Sequence, residues 1–322
     1  VSDDIAETLE TMAADGTLPD ESRRIAGDLG SMERERRVYS FDPNDNPPEV
    51  ALPIDDEFRD LHATICGEGS RVAAQSHVVF VGMARDIAGI LPATINRLEK
   101  IGALFKRWSA VVVENDSIDG TKEILRGWEQ RSGGGVIADC RDLGYERLAG
   151  FESKRVERYA ELRTRYRDIA ASNFPTADYI VAVDLDPWGG YCPLGVMNSI
   201  GWMQRAPRSA CMASTSLFQV KTREAGRLWL HYDQWAFRAY GFRARWDRYF
   251  PLWLPPPGSP PLRVFSAFGA LAVYRPAPFF AHSPRSIGGD IEHVGLHRAM
   301  IEDGWEVYIN PSSRVVMHWH LD

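Results

Sequence analysis

The amino-acid sequence predicts an α/β fold: a mostly parallel central sheet flanked by helices, carrying a helical appendage at its N-terminal end. Three observations predict it. From His77 onward, short β-branched apolar runs alternate with amphipathic stretches of helical period. The runs are apolar throughout, as expected of strands buried on both faces. The alternation itself implies βαβ units with right-handed crossovers.

The elements follow in order. Residues 1–40 read as helix, with Ile5, Leu9 and Met12 on one face and Gly16 and Pro19 breaking the run. Residues 41–57, FDPNDNPPEVALPIDDE, read as a linker, and a short helical stretch follows with Phe58, Leu61 and Ile65. Residues 1–75 are therefore expected to form an appendage, and 76–322 the main domain, divided near residue 190. In that domain HVVFVGM (77–83) is the first strand and AGILPATINRLEKIGALF the first helix. SAVVVEN (109–115) is the second strand, and SIDGTKEILRGWEQ (117–130) a helix entered through a capping serine. GVIADC is the third strand, SKRVERYAELRTRYRDIAAS (153–172) a long basic helix, and DYIVAVDLD (178–186) the fourth strand. Beyond Gly190 the pattern loosens. SACMASTSLFQV (209–220) reads as a strand, 228–250 resists assignment, and 251–263 is a proline-rich loop. VFSAFGALAVYR (264–275) reads as one strand carrying a glycine, 290–304 as a helix, and 305–320 as two closing strands.

Composition narrows the function. The 322 residues carry a net charge of −7, with 44% hydrophobic and 25% charged residues. That balance suits a globular core and argues against general nucleic-acid or membrane-surface binding, although a local basic patch could still serve a nucleic-acid acceptor. The four cysteines are scattered and form no CxxC pair. This favours free thiols in a reducing compartment and a cytoplasmic location. No apolar run reaches the roughly 20 residues of a membrane span, and the first residues read as an acidic helix rather than a secretory leader.

In open α/β sheets, ligands bind outside the carboxyl ends of the strands. The first predicted strand ends at Ala84 and Arg85, the second at Glu114, Asn115 and Asp116, the fourth at Asp184 and Asp186. Asp184 and Asp186 share one face because strand side chains alternate, and Pro187 keeps Asp186 extended. Two parallel carboxylates repel unless a cation lies between them, and hard ions such as Mg²⁺ or Mn²⁺ accept carboxylates together with diphosphate oxygens. Taken alone, D-x-D is as well explained by a solvated turn.

The surrounding motifs change that balance. VVVENDSIDGTKEIL, an acidic strand end followed by S-x-D-G-T and a helix, resembles the second-strand motif of nucleotide-sugar glycosyltransferases of the GT-A fold. VAVDLD resembles their metal-binding D-x-D, and the order and separation fit over about residues 76–320. The style is also similar to capsule and cell-wall mannosyltransferases, although VDLDPWGG departs from their acidic motif. The resemblance implies metal-dependent transfer of a hexosyl or pentosyl group from a UDP- or GDP-sugar to a glycan or other hydroxyl acceptor. It places Glu114 and Asn115 near the base or ribose, Asp184 at ribose or metal, and Asp186 on the metal. In RYAELRTR it assigns Arg158 and Arg163 to the donor phosphates, with Thr164 standing where that family usually has Asn. Either histidine of HWH, His318 or His320, would be a further metal ligand. Asp290 or Glu292, in GGDIEHVGLHRAM, would be the general base of an inverting transfer. Plainer readings stand beside these: a solvated helix face for the basic residues, an edge strand for the histidines, and helix-start acids for Asp290 and Glu292. Two other classes remain, a sugar-nucleotidyltransferase and a non-catalytic carbohydrate-binding relative. The first would need a glycine-rich triphosphate loop after the first strand, and VGMARDIAGIL does not supply one.

Overall fold

The computed structural model describes residues 53–147, 153–222, 226–233, 235–239, 254–288 and 290–318. The predicted helix in residues 1–40, most of the linker, His320 and residues 240–253, which include the end of the unassigned stretch 228–250, lie outside the described residues.

The chain is an α/β protein with one mixed sheet flanked by helices. Its first part is built as the sequence predicts. Strand β1 (His77–Ala84) pairs in parallel with β2 (Arg107–Asn115) and with β4 (Tyr179–Asp184), and β2 pairs in parallel with β3 (Val136–Arg141). The order β3-β2-β1-β4 reverses direction of travel at β1, which makes the β1/β4 crevice a topological switch point. The connecting helices are α2 (Leu91–Gly102), α3 (Thr121–Arg131) and α4 (Ser153–Asn173). Helix α2 buries Leu91, Thr94, Ile95, Leu98 and Ile101, a stripe at spacings of three and four. Helix α4 buries Val156, Leu162, Arg163, Tyr166 and Ala170. An arginine on a buried stripe needs partners inside the protein.

The second part departs from the prediction. The run 264–275 is not one strand. It divides into β9 (Leu262–Ser266) and β10 (Leu271–Tyr274), which occupy different places in the sheet. Gly269 and Ala270 both take left-handed backbone angles, with φ of 64° and 60°. A Cβ on Gly269 would lie 1.8 Å from the Ser214 carbonyl oxygen. Strand β10 then runs antiparallel between β4 and β6 (Ser209–Thr222). Residues 305–320 supply one strand, β11 (Glu306–His318), instead of two. Its halves are joined by a register shift between Asn310 and Arg314, where Pro311 has no N–H to give the ladder. The remaining strands are β5 (Gly190–Tyr191), β7 (Gly226–His231) and β8 (Arg238–Ala239).

Helix α1 (Arg59–Ala73) lies against α5 (Pro193–Arg205) with the backbones in contact. A Cβ at Gly69 would sit 1.8 Å from the Met197 carbonyl oxygen, and one at Gly201 would sit 2.2 Å from that of Ile65. Two short helices, α6 (Pro276–Ala281) and α7 (Glu292–Glu302), complete the described structure. No described helix is long and apolar enough to cross a membrane. Cys66, Cys140, Cys192 and Cys211 are all free thiols.

Candidate active site

A cleft of about 700 Å³ opens at the carboxyl ends of β1, β2 and β4. Strand register explains why. Met83 pairs with Asp184 and Ala84 with Glu114, so three strand ends finish level with one another. The cleft is lined by Ala84, Arg85, Asn115, Arg158, Arg163, Asp184 and Asp186 from the expected set. Tyr145, Arg147, Arg155, Tyr159, Tyr232 and Trp235 line it as well.

The S-I-D-G-T block holds two of these strand ends together. Ser117 does not cap α3, whose N-cap is Gly120. Its hydroxyl instead accepts the Asp86 N–H at 3.0 Å. Thr121 Oγ1 accepts the Ile87 N–H at 2.9 Å, and Asp119 Oδ2 accepts the Ala88 N–H at 2.9 Å. Asp119 Oδ1 accepts the Thr121 N–H at 3.0 Å. In return, Asp86 Oδ1 accepts the Ile118 N–H at 2.8 Å. Three side chains of the motif therefore satisfy three consecutive backbone donors of the loop after β1, which would otherwise be left to water.

Asp116 fastens a third segment. It has φ of 57°, and its carboxylate accepts N–H groups from Gly144 at 2.7 Å and Tyr145 at 3.1 Å. Burial opposes its ionisation, but these bonds and one from Asn115 outweigh that and hold it below the usual carboxylate range. The anchored loop carries Tyr145, whose ring lies 4.4 Å under the Arg158 guanidinium and whose carbonyl accepts from Arg85 at 2.7 Å. Glu114 is turned away. It is fully buried, with Oε1 accepting the Ser117 N–H at 2.8 Å, and it does not line the cleft.

The carboxylate pair sits as the alternation predicts, with Leu185 buried in the core between two acids that reach the cleft. The turn after it is held from beneath. Buried Arg97 of α2 donates to the carbonyls of Pro187 at 3.1 Å and Trp188 at 2.9 Å. Thr94 donates to the Leu185 carbonyl at 2.9 Å, and the Tyr191 hydroxyl to that of Asp184 at 2.6 Å. The two glycines now have reasons. A Cβ on Gly189 would lie 2.2 Å from Val316 Cγ1. Gly190 has φ of 81°, and its Cβ would press on Arg97 at 2.9 Å.

Asp184 carries the strongest electrostatic conflict. Burial raises its pKa to about 7; Arg163 opposes the rise, while Asp186 and Asp233 add repulsion. Asp186 is also pushed upward by desolvation against the cleft wall, although its side chain still meets solvent, and it makes no ion pair among the described residues. Two oxygen donors that resist ionising beside each other fit a hard divalent cation, whose charge would relieve both. Among the described residues, no group of three or more His, Cys, Asp or Glu could hold a metal. His318 lies on β11 with its backbone paired to Phe218, and its side chain is outside the described set.

Asp290 and Glu292 do not line the cleft. Asp290 is ion-paired with the buried Arg238. Glu292 is ion-paired with Arg163 at 2.9 Å. Sequence reasoning missed Arg97, Tyr145, Arg147, Tyr159, Tyr232 and Asp233. The only available signal for Arg97 was a cation at a position of the apolar stripe of α2.

No family model matches the chain, and no curated protein matches it. Solved structures do resemble it. The mannosyltransferase PcManGT from Pyrobaculum calidifontis, in complex with GDP-Man and Mn²⁺, aligns with 81% of this chain at 13% identity and a TM-score of 0.45. GalNAc-T7 with UDP, GalNAc and Mn²⁺ aligns with 87% at 15% identity and a TM-score of 0.47. This chain spans 66% and 57% of those two chains.

Proposed function

We propose that the chain is a metal-dependent glycosyltransferase that moves a sugar from a nucleoside-diphosphate-sugar to an acceptor hydroxyl. One observation carries the reading: a single cleft at the switch point joins a carboxylate pair to Arg85, Arg147, Arg155, Arg158 and Arg163. Acids and arginines at such density suit a ligand that is itself an anion bound through a cation. The volume lies within the range of small-molecule sites.

In this reading Asp184 and Asp186 hold Mn²⁺ or Mg²⁺, which when bound supplies positive charge to the departing nucleoside diphosphate. The arginines do the same work from the protein side. Arg158, stacked on Tyr145, and Arg85 are the phosphate ligands. Ala84, Asn115 and Asp116 border the base and ribose, Asp116 by fixing the loop that covers them. Asp290 stays a candidate base only if the acceptor enters from its side, because it stands outside the cleft lining and is paired with Arg238. His318 and His320 remain candidates for a further metal ligand.

The test is calorimetric titration of UDP, GDP and their sugars with and without Mn²⁺, alongside Asp186→Ala. Mn²⁺-dependent binding of one nucleoside diphosphate, lost in Asp186→Ala, is the expected outcome. Absence of nucleotide binding by the unaltered protein would overturn the assignment.

A further inference from the structure

Glu292 opens α7, is 3% exposed, and has its contacts inside the protein. Its Oε1 accepts Arg163 Nε at 2.9 Å. His293 Nε2 stands 3.8 Å from the same oxygen. Burial and the Arg163 charge hold that imidazole neutral, so it adds no second cation.

Arg163 is engaged on every side. Its Nη1 donates to the Tyr166 hydroxyl at 3.1 Å, its Nη2 lies 3.4 Å from Asp184 Oδ1, and its plane covers Phe268 at 4.9 Å. These partners come from α4, α7, the end of β4 and the turn before β10. A guanidinium is a rigid planar fork, so fixing one edge fixes the other. Nε and Nη2 lie side by side on one edge of that fork, so the bond that fixes Nε on Glu292 also sets how Nη2 is presented to Asp184. The contact to Glu292 is also shorter than that to Asp184 by 0.5 Å (3.4 less 2.9). The guanidinium charge is thereby drawn toward the acid that does not reach the cleft.

We propose that Glu292 is a positioning residue that acts through Arg163, orienting Asp184 and leaving its carboxylate available to a divalent cation. This rests on the transferase reading of the cleft. Without the Glu292 charge, Arg163 pairs fully with Asp184 and competes with the metal.

Mn²⁺ alone is the probe, with bound ion measured by electron paramagnetic resonance and folding checked by circular dichroism. Glu292→Gln keeps the shape and is expected to weaken Mn²⁺ binding about 10–100-fold, the usual cost of losing an outer partner of a metal ligand. Arg163→Lys keeps the charge but loses the fork. It is expected to weaken binding too, and adding Glu292→Gln to it should cost little more, because the pair acts as one unit. Should Glu292→Gln not fold, the Arg163→Lys measurement carries the test, and unchanged binding there refutes the proposal. Unchanged Mn²⁺ binding with reduced turnover in Glu292→Gln would instead mark the acid as acting on the acceptor. Unaltered protein that binds no Mn²⁺, either alone or with GDP or UDP present, would overturn the transferase reading and this inference with it. Tight binding in both the unaltered protein and Glu292→Gln would overturn the inference alone.

Discussion

Asp119→Ala removes the acid at the centre of the S-I-D-G-T block. Asp119 accepts two backbone donors, Ala88 at 2.9 Å across the loop and Thr121 at 3.0 Å at the start of α3. Partial desolvation opposes its ionisation, but these bonds win and hold it below the usual carboxylate range. Replacing such a capping acid by Ala costs about 0.5–2 kcal/mol. The side chain is exposed, and water takes over part of what is lost, so about 1 kcal/mol is expected. For a chain of 322 residues that shifts the melting temperature by only a few degrees, which makes thermal melting a blunt assay. Ligand affinity is sharper, because the loosened loop carries Arg85 into the cleft. About 1 kcal/mol corresponds to roughly fivefold weaker binding. The assay is calorimetric titration with GDP and UDP in the presence of Mn²⁺. Asp119→Asn keeps an acceptor oxygen and should lose less than the alanine variant. Wild-type affinity in Asp119→Ala would refute the idea that the motif works by tying the two loops together. Equal losses in both variants would show that charge, not the hydrogen bonds, matters.

Two further predictions concern the sheet and the carboxylate pair. Gly269→Val puts a β-branched side chain at φ of 64° and a Cβ against the Ser214 carbonyl. A loss above about 3 kcal/mol is expected in urea unfolding, and a change below about 1 kcal/mol would show that the turn can relax. Asp184, raised from 3.8 to about 7, keeps a proton that the unfolded chain has already released between those values. Its ionisation therefore destabilises the metal-free fold as pH rises across that window, and Asp184→Asn should remove this contribution. Because Mn²⁺ must displace the same proton, affinity should be about tenfold weaker at about pH 6 than at about pH 8. A flat profile would place the proton elsewhere.

The legible parts of the molecule are those governed by local period. The parallel strands up to β4 announce themselves as apolar runs, and the alternation that aims Asp184 and Asp186 together is a property of any strand. What the sequence conceals is what each motif touches. Ser117, Asp119 and Thr121 read as the opening of a helix, yet three of their bonds go to Asp86, Ile87 and Ala88, about thirty residues earlier. Arg163 reads as a phosphate ligand on a basic helix, and its buried partner Glu292 is 129 residues away. The run 264–275 reads as one strand because Ala270 gives no hint of a left-handed backbone; only Gly269 does, and a lone glycine fits a packed strand equally well. Trp188, Gly189 and Gly190 read as an unexplained turn until Arg97 and Val316 are seen against them.

The seam between α1 and α5 bears on where this protein can be cut. Gly69 and Gly201 let two backbones meet with no side chain between them, and the same seam buries Ile65 completely. A fragment starting at His77 would keep every cleft residue named above and still strip the cover from α5. The uncovered face of α5 would expose apolar side chains such as Val196, Met197 and Ile200, a surface that water solvates poorly and that a second unfolded chain could occupy. Such a fragment is expected to clump before it can be assayed, so the arm ahead of the sheet belongs in any piece meant to be studied by itself.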